Sequence, residues 1–133
     1  MKTVVFLCVA NSARSQMAEG LARASAPEGW KVFSAGSRPT QVNPHAAVAL
    51  RELDIDPDRQ HAKGLDDVPI RDADWVITLC AEEECPVAYT KGTRLHWPFP
   101  DPAAADRDEA LRRFREIRDA IRERLAMFWK EQA

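Results

Sequence analysis

A four-residue apolar run, Val4-Val5-Phe6-Leu7, stops at a thiol, Cys8, and an Arg-Ser pair stands six residues on, at Arg14-Ser15. A helix-like pattern begins there and continues through Gln16 to Ala24. Strand, short loop and helix in this order are half of a parallel βα unit. The loop between them, Cys8-Val9-Ala10-Asn11-Ser12-Ala13-Arg14-Ser15, describes an oxyanion trap with a nucleophile in its floor. Successive backbone N–H groups of such a loop can point inward and form an anion-binding nest. The helix N-terminus adds free donors and the positive end of a dipole. Arg14 can close over a tetrahedral oxyanion with two parallel hydrogen bonds. These surroundings are expected to depress the pKa of Cys8 and hold it as thiolate, the form that attacks. Read locally, Cys8 is also a small buried hydrophobe ending a core strand, and Arg14 a solvated helix residue.

Along the rest of the chain, apolar runs alternate with helical patterns. The reading is an α/β fold, a four-stranded parallel sheet flanked by helices. Strands are expected over Thr3 to Val9, Trp30 to Ala35 (ended by Gly36), Trp75 to Cys80 and, as a short edge, Arg94 to Trp97. Helices are expected over Ser15 to Ala26, Pro44 to Leu53 and Asp106 to Lys130, with at best a helical turn over Leu65 to Ile70. In the last helix Leu111, Phe114, Ile117, Ile121, Leu125 and Phe128 make one apolar stripe. Asp108–Arg112 and Glu109–Arg113 are expected there as acid-before-base pairs. Pro98, Pro100 and Pro102 hold an extended loop that cannot join a central sheet.

The 133 residues suffice for one domain with a full core, so the whole of 1–133 is read as a single unit. A net charge of -2 gives no reason to expect nucleic acid or a charged membrane as partner. Met1-Lys2 leads straight into a strand pattern and no long apolar span follows, so a cytoplasmic protein is expected. Three cysteines do not make a structural disulfide framework; catalytic or redox-active thiols fit better. Three soft ligands with His96 are the makings of a zinc site, but no Cys-x2–4-Cys knuckle is completed by a second pair. No metal site is expected.

The segment Phe6 to Gly20 resembles the start of arsenate reductases built on the low-molecular-weight protein tyrosine phosphatase fold. Ser34-Ala35-Gly36, Val42-Asn43-Pro44, Val76-Ile77-Thr78-Leu79-Cys80, Cys85-Pro86, His96-Trp97 and Asp101-Pro102 follow in that family's order and approximate spacing. Gln16-Met17-Ala18-Glu19 follows Ser15, where the phosphatases usually place proline. Asp101-Pro102 continues into alanines rather than the tyrosines that flank an aromatic substrate. The resemblance thus points to the reductases, with a phosphatase or a non-catalytic oxyanion-sensing module as alternatives.

What the resemblance implies is a relay. Arsenate would sit in the loop of residues Val9, Ala10, Asn11, Ser12, Ala13, Arg14 and Ser15, with phosphate or sulfate competing. Cys8 would attack arsenic, Asp101 would protonate the leaving oxygen, Cys80 would attack Cys8, and Cys85 would carry the oxidation outward as Cys80–Cys85. No bound cofactor is expected. Electrons would come from reduced thioredoxin, itself reduced by NADPH through thioredoxin reductase, or from glutathione/glutaredoxin or mycothiol. A monomer is expected. The resemblance makes the strands ending at Cys8 and Cys80 neighbours, about 4.8 Å apart, within reach of a disulfide after modest loop movement. Alone, Cys80 also reads as a core thiol and Cys85 as a lone surface cysteine. Were residues 80–85 helical, their Cα atoms would stand about 8.7 Å apart, too far to bridge, so this segment must unwind or loop out. Glu82, Glu83 and Glu84 favour a solvated segment and should raise nearby thiol pKa values.

Asn11 and Ser15 are expected to support the loop from behind, Asn11 by backbone hydrogen bonds and Ser15 by a bond to the Cys8 sulfur. A helix N-cap role for Ser15 is equally open. Two departures from the family pattern stand out. Ala10 and Ala13 replace the usual glycine and second cysteine of the loop. Some relatives bind potassium through Asn, Glu and Ser side chains plus a later Thr and Asp. Asn11, Glu19 and Ser34 match, but His61-Ala62-Lys63-Gly64 lacks the later pair. Lys63 is expected to put its ammonium where the ion would sit, with no potassium dependence.

Overall fold

Strand β1 (Lys2–Cys8) decides the architecture, because its Val4 to Leu7 run is fully buried and therefore needs cover on both faces. The computed structural model describes residues 1–81, 85–86 and 88–132. It places β1 inside a parallel sheet of order β2-β1-β3-β4, with β2 (Trp30–Gly36), β3 (Trp75–Thr78) and β4 (Thr93–His96). Helices α1 (Arg14–Ser25), α2 (Pro44–Arg51) and α3 (Ala110–Glu131) complete it. Alternate residues of β1 serve different cores. Val4 and Phe6 pack with Met17, Leu50, Phe114 and Ile121 beneath the helices, whereas Val5 and Leu7 pack with Val68, Ile70 and Val76. Truncating a fully buried ring such as Phe6 or Phe114 to alanine should cost about 3–5 kcal/mol.

The expected elements are all present, with boundaries shifted by up to four residues. Helix α3 begins at Ala110 rather than Asp106, because Glu109 N–H closes a turn on Asp106 O at 2.9 Å. Its buried stripe is Phe114, Ile117, Ile121, Leu125 and Phe128, joined by Ala110, while Leu111 is only half-buried. With Asp108 and Glu109 ahead of the first turn, the expected i,i+4 pairs give way to others. Arg112 pairs with Glu109 at 3.0 Å and Glu116 at 3.3 Å, and Arg113 with Glu116 at 2.7 Å. Helix α2 stops at Arg51 instead of Leu53, since the chain turns through Asp54 at φ 61° with Ile55 N–H bonded back to Leu50 O. Its start is capped by Asn43, whose side chain accepts from His45 N at 2.8 Å.

Strand β3 ends two residues before Cys80, yet the next residue stays bonded on both sides. Leu79 N–H donates to Leu7 O at 2.9 Å, and its carbonyl accepts from Phe99 N at 3.1 Å. The carboxyl ends of β1 and β3 are thereby locked side by side. Helix α3 is tied to the end of α2 by Glu52, which accepts from both Arg115 and Arg118. The hydrogen bond from Arg115 is the chief cause that pulls the Glu52 carboxyl down to about 2.

Candidate functional site

The loop after β1 is pinned from outside. Val9 O accepts from Arg38 N at 2.9 Å, Ala10 O from Thr40 N at 3.1 Å and Ser12 O from Asn43 N at 2.9 Å. In a planar trans peptide the following N–H points opposite to the carbonyl. The amides of Ala10, Asn11 and Ala13 therefore turn away from that outer segment, toward the inside of the loop. The close fit requires glycine at position 36, where a Cβ would come within 2.4 Å of Val9 O and 2.8 Å of Asn11 N.

Asn11 is the centre of the loop. It is completely buried and sits in the left-handed region at φ 48°, which asparagine tolerates better than most residues. Its Oδ1 accepts from Lys63 N at 2.8 Å and Gln16 Nε2 at 2.9 Å, while Nδ2 donates to Ser15 Oγ at 2.8 Å and Ser34 Oγ at 3.0 Å. Gln16 Nε2 also reaches Asn11 O and His61 O, and Gln60 Nε2 donates to Gln16 Oε1. Sequence reasoning missed Gln16 and Gln60. They are two uncharged amides 44 residues apart, which no spacing rule singles out.

The Cys8 thiol is buried and free, with its sulfur 2.7 Å from Ser15 Oγ. Ser15 accepts from Asn11, so its own hydrogen is available to the sulfur. The alternative N-cap role for Ser15 is not realised: α1 starts at Arg14 with Ala13 at the cap, and Ser15 lies within the first turn. Arg14, also buried, donates through Nη1 to Phe99 O at 2.9 Å and toward Leu79 O at 3.5 Å. It thus links the loop to the segment that carries Asp101. That aspartate caps the short turn Pro102–Ala104, its Oδ1 accepting from Ala103 N at 3.0 Å.

Cys80 and Cys85 are joined as a disulfide, with Cα atoms 5.6 Å apart. That separation lies within the range a disulfide requires. Glu82, Glu83 and Glu84 lie outside the described residues. Cys80 is buried, whereas Cys85 is half-buried and lines a cavity of about 260 Å³ with Leu7, Thr78, Ala88, Arg94 and His96. His96, considered above as a zinc ligand beside the three cysteines, bonds Thr78 Oγ1 through Nδ1 at 2.7 Å. Behind the loop, Lys63 Nζ sits 3.1 Å from Glu19 Oε1 and 2.8 Å from His61 O. Glu19, which matches part of a potassium-binding pattern, thus already has an ammonium on its Oε1. Among the described residues no group of His, Cys, Asp and Glu gathers as a metal site, and no helix is long and apolar enough to cross a membrane.

An open parallel sheet with a buried thiol and a closed amide loop at the carboxyl ends of its central strands defines the class of protein. The chain belongs to the low molecular weight phosphotyrosine protein phosphatase family, which it matches over residues 3–132. It is 41% identical over 133 residues to an arsenate reductase of Oceanobacillus iheyensis, covering 97% of this chain and 96% of that one. Its fold superposes on a solved arsenate reductase in the phosphate binding state with a TM-score of 0.84 and 30% identity, over 100% of both chains. It also matches a thioredoxin-dependent arsenate reductase of Corynebacterium glutamicum at a TM-score of 0.78 and 31% identity, covering 98% of this chain and 61% of that one.

Proposed function

We propose that this chain is an arsenate reductase that moves two electrons through Cys8, Cys80 and Cys85 and serves arsenic detoxification. One observation carries the reading. The carboxyl ends of two adjacent strands hold the buried free thiol of Cys8, bonded to Ser15, and the Cys80–Cys85 disulfide. A phosphoester hydrolase has no use for the second feature. The names of the relatives support the same substrate.

In this reading arsenate occupies the loop formed by Val9, Ala10, Asn11, Ser12, Ala13, Arg14 and Ser15. The inward amides and Arg14 bind its oxygens. Cys8 thiolate attacks arsenic and a hydroxyl leaves as water, protonated by Asp101. Because Oδ1 of Asp101 accepts the Ala103 amide, its proton belongs on Oδ2. Cys80 thiolate then attacks the Cys8 sulfur. The arsenic–sulfur bond breaks with its electron pair moving to arsenic, and arsenite departs from a Cys8–Cys80 disulfide. Cys85 thiolate attacks Cys80, Cys8 leaves as thiolate into the Ser15 hydrogen bond, and Cys80–Cys85 remains. An external dithiol reduces that bond through a mixed disulfide; thioredoxin is the expected donor, in the cytoplasm where thiols stay reduced. Every group the relay needs lies on one chain, so the active unit is taken as a monomer.

The test is NADPH oxidation coupled through thioredoxin reductase and thioredoxin, started by arsenate, with glutathione/glutaredoxin in parallel. Arsenate-dependent turnover with at least one donor, reduced to background in Cys8→Ser, is expected. Phosphate binding without any arsenate-driven turnover would indicate an anion-sensing module. Efficient aryl phosphate hydrolysis by the Cys80→Ser/Cys85→Ser double variant, without arsenate reduction by the intact protein, would indicate a phosphatase.

A further inference from the structure

Arg94 and His96 share a sheet face and a cavity with Cys85. In the β3–β4 register Val76 pairs with Arg94 and Thr78 with His96. Side chains alternate along a strand, so these four stand on one face, where Val76 packs with Leu7 and Ala88. The cavity of about 260 Å³ lies on that face, and Cys85, Arg94 and His96 are the titratable residues among those that line it. Arg94 and His96 are exposed, Cys85 half-buried. The structure has the Cys80–Cys85 bond formed, which is the geometry at which the last exchange of the relay ends.

The imidazole is held at one nitrogen. Nδ1 of His96 lies 2.7 Å from Thr78 Oγ1, which also reaches Leu95 O at 3.4 Å. A carbonyl only accepts, so a hydroxyl that donates to Leu95 O accepts from Nδ1–H. Nε2 then keeps its lone pair, and a proton taken there leaves the bond to Thr78 intact. The exchange needs such an acceptor. A thiolate, not a thiol, attacks a disulfide, and an ordinary cysteine with a pKa of about 8.5 is about 3% ionised at pH 7. Glu84 directly precedes Cys85 in the sequence, and a carboxylate so near in the chain opposes ionisation further. Arg94 favours a thiolate by its charge, but it has no site for a proton and solvent screens it.

We propose that His96 takes the proton of the Cys85 thiol, so that Cys85 attacks Cys80 as a thiolate. The proposal rests on the reading of Cys85 as the third thiol of the relay. In this step the S–H proton passes to Nε2 and the Cys85 sulfur bonds the Cys80 sulfur. The Cys8–Cys80 bond breaks, and Cys8 leaves as thiolate. No net electrons move, because one disulfide replaces another. The exposed ring then gives its proton to water.

The experiment measures alkylation of Cys85 by iodoacetamide against pH in the reduced full-length protein, read by peptide mass mapping. Full ionisation of an ordinary thiol is worth at most about thirtyfold at pH 7. His96→Gln, which keeps a polar side chain beside Thr78 but takes no proton, should slow alkylation of Cys85 about tenfold at pH 7. The gap should close by about pH 10, where the thiol ionises unaided. Alkylation of Cys8 should stay within about twofold, and so should that of Cys85 in Arg94→Gln. After stoichiometric arsenate, acid-quenched His96→Gln should release arsenite at the unsubstituted rate. It should then accumulate Cys8–Cys80, with Cys80–Cys85 forming about tenfold more slowly. If His96→Gln does not fold, Thr78→Val, which removes the hydroxyl that holds the ring, decides: a loss at Cys85 that fades by pH 10 supports the proposal, and an unchanged rate overturns it. An unchanged rate in folded His96→Gln, a loss that persists at pH 10, or an equal loss in Arg94→Gln also overturns it. Failure of the reductase reading looks different: the unsubstituted protein would release no arsenite, while the alkylation differences at Cys85 would persist.

Discussion

The two ends of the proposed thiol relay are built in opposite ways. Around Cys8, the loop is held by backbone bonds on its outer side and by a buried asparagine with four side-chain bonds on its inner side. Cys85 is half-buried, joined to Cys80 by a disulfide, and lines a cavity. The contrast is chemical. A nucleophile that must meet an oxyanion in one geometry gains from groups fixed in advance, because nothing then reorganises during reaction. A thiol that must accept electrons from another protein needs access instead, and its fixed state is supplied by the disulfide itself.

The comparison breaks first at Asn11. Asn11→Ala leaves Ser15, Ser34, Gln16 and the Lys63 amide short of a buried partner and puts alanine at φ 48°. A loss of roughly 3 kcal/mol or more in stability is expected by urea unfolding, with arsenate turnover near background. Stability and activity close to those of the unsubstituted protein would mean that the loop is not held from this residue.

A smaller effect is expected at the other end. Reducing Cys80–Cys85, which are five residues apart, removes only a short loop constraint, about 2 kcal/mol in the chain-entropy account. Hydrogen exchange should quicken around Cys85 and Ala88 on reduction, while the Arg38, Thr40 and Asn43 amides that bind the Cys8 loop keep their protection. Loss of protection at both places would make them one unit and remove the contrast.

The smallest effect concerns neither end and serves as a control. Glu52 is lowered from the ordinary value of 4.5 to about 2, chiefly by its hydrogen bond from Arg115. A carboxyl lowered on folding adds stability above its unfolded value, and that stability is lost as pH falls through the folded one. Glu52→Gln should therefore unfold at a lower temperature than the unsubstituted protein at pH 7. The two curves should converge as pH falls from about 4.5 to 2. A gap that persists at pH 2 would mean that Glu52 stabilises by something other than its charge.

Much of this was legible in the sequence because the strongest signals are local. The Val4–Leu7 run, the helical stripe through Phe114 and Phe128, and the strand–loop–helix order around Cys8 each follow from a period or a contiguous motif. Boundaries were less legible. Where α3 starts depends on a turn closed by Glu109, and where α2 stops depends on Asp54 taking a left-handed conformation. The support of the site was legible only in part. Asn11 and Ser15 lie inside the motif, and Lys63 was reached through the family pattern. Gln16, Gln60 and the carbonyl of His61 meet only through tertiary contact between α1 and the segment before Leu65. The glutamine pair has no charge or period to announce it.

The central claim, that three thiols act in sequence, is tested most directly by trapping the relay at each stage. Reduced Cys85→Ser and Cys80→Ser proteins are given stoichiometric arsenate, and arsenite release and disulfide-linked peptides are measured. Cys85→Ser should release about one equivalent of arsenite and stop with Cys8 bonded to Cys80, because nothing remains to resolve that bond. Cys80→Ser should release none and form no bond between Cys8 and position 80, although its Cys8 can still attack. Repeated turnover by Cys85→Ser with thioredoxin, or arsenite release by Cys80→Ser, would contradict the three-thiol account.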